Sequence, residues 1–73
     1  MVVYDANTVA TSLKARRICR GFRTQRDLAK SCGVSESTIY SIEAGEVSPT
    51  LKTASKIANA LECTVNDLMS IPN

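Results

Sequence analysis

The stretch Thr24 to Gly45 constrains this chain most, because within 22 residues it carries two complete sets of helix start and stop signals. Thr24 and Ser35 are hydroxyl residues of the kind that cap a helix N-terminus by accepting a backbone N–H bond, and Gly33 and Gly45 are C-terminal stops. Gly33 permits the positive φ needed to reverse the chain in so few residues. A capping-box variant strengthens the first start signal, with Asp27 three residues after Thr24. The segment therefore predicts two short helices, 25–32 and 36–44, joined by a tight turn. Ala29 is small where the two must approach, Val34 fills the angle between them, and Ile39 anchors the second.

The rest of the chain reads as helix too. A first helix begins after Asp5 or Asn7 and ends near Gly21, with Val9, Leu13 and Arg17 on one face at i, i+4, i+8. Leu28 and Ala29 point inward from the second. After the loop Glu46–Pro49, a fourth helix capped by Ser48 or Thr50, with Pro49 in its first turn, carries an inner stripe of Leu51, Ala54, Ile57, Ala58 and Leu61, and stops near Glu62. A short fifth helix, capped by Thr64 with Asp67 at its third position, buries Val65 and Leu68. No period-2 alternation occurs. The expected fold is all-α, a five-helix bundle forming a single domain over 1–73 with its core at about 8–69.

Size and composition narrow the function. A chain of 73 residues buries only about 60% of its unfolded surface, so it relies on efficient aliphatic packing. It has no Trp, and its aromatics are Tyr4, Phe22 and Tyr40. No run approaches the ~20 apolar residues that span a bilayer. The first residues lack the basic start and long apolar stretch of a signal peptide, so the expected location is cytoplasmic. Cys19, Cys32 and Cys63 are widely spaced and there is no His, which argues for reduced thiols and against a metal site. The missing His also removes the commonest general base. No enzyme activity, metal, cofactor or small-molecule ligand is expected.

The net charge of +2 is unevenly distributed. Residues 14–30 hold seven cations against the single acid Asp27, whereas 31–73 are net acidic. Such a local cluster suits contact with a polyanion along one edge. The second helix of the Thr24–Gly45 pair points the same way. Ile39, Ile42 and Glu43 share its inner face, while Ser37, Tyr40, Ser41 and Ala44 lie opposite. A face of small polar groups suits a DNA groove better than a core, and the free N-terminus under Ser35 suits phosphate. Two helices in this arrangement form a helix-turn-helix.

In these stretches the chain resembles the Xre family, the helix-turn-helix domain of phage repressor and Cro proteins. The similarity runs from about Val9 to Met69. It rests on Leu13-Lys14-Ala15-Arg16-Arg17-Ile18, Thr24-Gln25, Leu28-Ala29, Cys32-Gly33-Val34-Ser35, Thr38 to Gly45, Pro49-Thr50-Leu51 and Lys56 to Leu61. The resemblance implies a homodimer on operator DNA, with the second helix across the backbone and the third in the major groove. By position, Glu36, Ser37 and Ser41 match base-contacting sites, with Tyr40 beside them. Gln25 matches a phosphate-gripping site close enough to orient Glu36. Arg23, Thr38, Thr50 and Lys52 are the other expected phosphate contacts. Glu36 either accepts from a cytosine N4 amine, or is clamped by Arg23 or Arg26 so as to exclude other sequences, or complements the helix dipole.

Arg17 and Glu43 both face inward, which is costly unless they pair. The resembling family holds an Arg–Glu bridge at these places, so a structural ion pair is expected. Three departures from the family pattern stand out. There is one extra residue before Thr24, an Arg20 where an apolar residue is common and Phe22 compensates, and a loop 46–50 without cations. The function expected is a sequence-specific double-stranded DNA-binding regulator, a repressor on a palindromic operator. Its dimer surface is expected at Leu68, Met69 and Ile71, with Val2, Val3 and Tyr4 adding contacts. The alternatives are an antitoxin or a protein-interaction module reusing the fold. The hydroxyl-rich outer face disfavours the second, and no disordered toxin-wrapping tail supports the first.

Overall fold

Five helices follow one another in a computed structural model that describes residues 6–69: α1 (Ala6–Cys19), α2 (Gln25–Cys32), α3 (Glu36–Glu43), α4 (Leu51–Ala60) and α5 (Val65–Leu68). No strand occurs among the described residues. Each helix from α2 onward begins where a hydroxyl side chain caps it. Thr24, Ser35, Thr50 and Thr64 accept from the backbone N–H three residues ahead at 3.0–3.2 Å. At α5 the box is reciprocal, because Thr64 N–H also donates to Asp67 Oδ2 at 3.3 Å. These bonds with Thr64 hold the Asp67 carboxyl below the usual carboxylate range. Pro49 precedes the Thr50 cap instead of occupying the first turn.

The helices bury one aliphatic core. α1 packs on α3 and α5, α2 on α3 and α4, and α4 on α5. Val9 and Leu13 from α1, Leu28 from α2, Ile39 and Ile42 from α3, Ile57 and Leu61 from the α4 end, and Leu68 are each at most 1% exposed. Phe22 and Val34 pack against them from the side. Ser12 is also fully buried. Its hydroxyl donates to Asp67 O at 3.5 Å and accepts from Arg16 Nε at 3.3 Å, tying α1 to α5.

The structure corrects several expectations. Leu51 is 73% exposed, not on the inner stripe, because α4 starts at this residue directly after an exposed loop. Val65 is only partly buried. Leu68 is 1% exposed within one copy of the chain, so it fills the core and supplies no dimer surface. Met69 packs partly against the same core, and Ile71, Val2, Val3 and Tyr4 lie outside the described residues. Arg20 finds work of its own: Nε donates to Leu61 O at 3.0 Å, and Nη1 is 3.6 Å from Glu62. A cation at a helix C-terminus is favoured by the orphan carbonyls and the dipole.

Cys19 is exposed, Cys32 buried and Cys63 intermediate, and all three are free thiols. Burial pushes the Cys32 and Cys63 thiols up, so both remain protonated and pack as small apolar groups. Among the described residues no group of His, Cys, Asp or Glu could hold a metal ion, and no helix is long and apolar enough to cross a membrane.

Candidate nucleic-acid interface

The turn between α2 and α3 is set by Gly33, which adopts φ +74° and returns its N–H to Ala29 O at 3.0 Å. Val34 N–H reaches the same carbonyl at 3.3 Å, closing the α2 end within two residues. Ser35 then caps α3 from an extended conformation. Its Oγ also lies 3.2 Å from Ser37 Oγ and 2.7 Å from Thr38 Oγ1, so three hydroxyls surround the start of α3. Replacing Ser35 by Ala is expected to lower stability by about 1 kcal/mol, as loss of an N-cap does. Denaturant titration checks this, and an unchanged midpoint would contradict the cap assignment.

Ile39 and Ile42, inserted in the core, orient α3 so that Glu36, Ser37 and Tyr40 face out. Tyr40 is 56% exposed. Ser41 is half-buried and therefore sits at the edge of this face. Thr38 is half-buried and engaged in the cap cluster. Arg23 is exposed in the loop before α2, and Lys52 is exposed in the first turn of α4. The Thr50 hydroxyl caps α4 and bonds Thr53 Oγ1 at 3.1 Å. Of the candidate residues, Arg23 and Gln25 lie at the start of α2, Glu36, Ser37 and Thr38 at the start of α3, and Thr50 and Lys52 at the start of α4, whereas Tyr40 and Ser41 lie further along α3.

The inner face of α3 holds the expected ion pair. Arg17 Nε donates to Glu43 Oε2 at 2.7 Å and Nη2 to Oε1 at 3.2 Å, with the two side chains 7% and 4% exposed. Nη1 donates to Phe22 O at 2.8 Å. Gln25 completes the arrangement by donating from Nε2 to Glu43 Oε1 at 3.3 Å. The structure therefore joins Gln25 to Glu43 and leaves the orientation of Glu36 to another residue. That residue is Arg26, whose Nε lies 3.4 Å from Glu36 Oε1. Of the two clamps considered from the sequence, Arg26 is the one in place, although it was not among the expected DNA contacts.

The basic segment 14–30 does not form a single edge. Arg17 is internal, Arg20 serves α4, and Arg16 serves Ser12. Lys14, Arg23, Arg26 and Lys30 remain exposed. The local excess of cations in the sequence thus combines structural and surface roles, which charge counting cannot separate.

Comparison with known proteins agrees with this geometry. The helix-turn-helix family HTH_3 matches residues 13–68. An uncharacterized HTH-type transcriptional regulator of Methanocaldococcus jannaschii is 49% identical over 45 residues, covering 62% of this chain and 68% of that protein. An HTH_3 family transcriptional regulator from Vibrio cholerae has a TM-score of 0.79 at 36% identity, covering 86% of this chain and 35% of the other. The P22 c2 repressor, solved with a synthetic operator, has a TM-score of 0.77 at 29% identity, covering 85% of this chain and 92% of the other. The chain thus spans about two thirds of the archaeal regulator and about a third of the Vibrio one. The chain belongs to the HTH_3 helix-turn-helix family of DNA-binding transcriptional regulators.

Proposed function

We propose that the chain represses transcription in the cytoplasm by binding a palindromic operator as a homodimer, with α3 in the major groove. The observation that carries this reading is the outward face of α3. Its polar residues Glu36, Ser37, Tyr40 and Ser41 are presented by a helix whose opposite face is locked in the core. Ser hydroxyls donate or accept at base edges as needed. Gln25, Arg23, Thr38, Thr50 and Lys52 hold the phosphates that flank the groove. Two copies are required because one short helix reads only a few base pairs, and half-sites about 34 Å apart match one turn of DNA.

Selection from randomised duplex DNA with purified protein tests the reading, and an enriched inverted repeat is expected. Sedimentation on that site should give two copies per duplex. With Arg23 and Lys52 from each copy neutralising about four phosphates, log K should fall with log salt at a slope near −3.6, roughly 100-fold between 50 and 200 mM. A salt-independent affinity, or no enrichment, would contradict the proposal.

A further inference from the structure

We infer that Arg26 and Glu36 act as one reading unit, which recognises a C·G base pair at the start of each α3; the inference rests on the DNA reading above. Their ion pair joins the first turn of α2 to the first turn of α3, and the two side chains are 70% and 51% exposed. A pair so open to water contributes little to stability. Arg26 also stands in the first turn of α2, where the helix dipole disfavours a cation. Folding therefore gives no reason for this pair, whereas its position on the candidate DNA face does.

The geometry fits one base pair in particular. Arg26 directs Nε at Glu36 Oε1, which leaves its two terminal amino groups and Glu36 Oε2 available. In the major groove a C·G pair presents the cytosine N4 donor beside the guanine O6 and N7 acceptors. Cytosine N4 and guanine O6 are themselves hydrogen-bonded, so they lie about 2.9 Å apart. The Arg26 Nε–Glu36 Oε1 contact at 3.4 Å likewise holds a donor group beside an acceptor group. The carboxylate accepts from N4 while the terminal guanidinium nitrogens donate to O6 and N7. The two residues then meet one base-pair edge without breaking their own contact. Arg26 also cancels the charge that would otherwise set Glu36 against the phosphates. An adenine amine offers Glu36 a similar donor, but its thymine partner presents O4 and a methyl group in place of the O6 and N7 pair that Arg26 requires.

The test uses the full chain and the site obtained from a randomised duplex library. Wild type is expected to favour C·G over T·A at one pair in each half-site by about 10- to 100-fold in Kd, the range of a good base contact. Glu36→Gln and Arg26→Ala should each reduce that preference to about threefold or less at that pair alone, because each removes half of the same contact. Their melting temperatures should stay within about 2 °C of wild type, since the pair is exposed. Variants that retain the wild-type preference at every position would overturn the inference while leaving the DNA reading intact. So would an Arg26→Ala protein that binds all sequences uniformly more weakly, which would make Arg26 a phosphate contact. A wild-type protein that enriches no sequence would overturn both.

Discussion

Replacing Glu43 by Ala is expected to destabilise the domain by about 3–5 kcal/mol, the usual consequence of breaking a buried ion pair from one side. The guanidinium of Arg17 would keep its bond to Phe22 O but lose both carboxylate bonds while its side chain remains 7% exposed. Gln25 Nε2 would lose its acceptor as well. Two helices meet α3 at this carboxylate, α1 through Arg17 and α2 through Gln25, so its loss also frees α3 from its supports. In a domain of this size each kcal/mol moves the melting temperature by about 4–8 °C, so a fall of more than about 10 °C is expected. Thermal unfolding followed by circular dichroism measures it, and a shift of only a degree or two would contradict the structural role. The double replacement Arg17→Leu with Glu43→Leu is the discriminating control. Removing both charges together should recover much of the loss, because no ion then stays buried without a partner.

Ile39→Ala is expected to cost about 2–5 kcal/mol, through lost burial plus the cavity left behind. Ile39 is fully buried and lies in the middle of α3, between elements supplied by α1 and α2. Its removal loosens the same helix whose outer face carries Glu36, Ser37 and Tyr40. Ile39→Val should cost about 0.5–1.5 kcal/mol, giving a graded series at one site. Urea titration should show a lower midpoint with an unchanged slope, since the folded state keeps its extent. An Ile39→Ala midpoint equal to that of wild type would mean that this side chain is not the anchor of α3. Because a domain of this kind has a margin of only about 5–15 kcal/mol, either substitution removes a large part of it.

Much of the fold was legible because its determinants are local. Thr24, Ser35 and Thr64 cap the helices read for them, and each cap is satisfied three residues away, within reach of sequence inspection. The positive φ of Gly33 follows from the same short-range logic. The Arg17–Glu43 pair was legible for a different reason. A charge on an apolar stripe must find a partner inside, and only a few opposite charges faced inward. The stripe of α4 was legible from Ala54 to Leu61 and failed at Leu51, where periodicity continues but the covering neighbour does not.

The candidate DNA face was legible in outline, since Ile39 and Ile42 on one side leave Glu36, Ser37 and Tyr40 on the other. Its wiring was not. Gln25 turns to Glu43 instead of Glu36, Arg26 rather than Arg23 reaches Glu36, and Arg20 crosses 41 residues to Leu61. Leu68, an apolar residue near the end of the chain, reads equally well as interface or interior, and packing assigned it to the interior. The sequence by itself determined the helices, their turn and most of each inward face, because caps, glycine conformations and periodicity act over three or four residues. Only the tertiary structure decided where the long polar side chains end, because a Gln or Arg swings on several rotatable bonds and goes to whichever acceptor folding brings within reach.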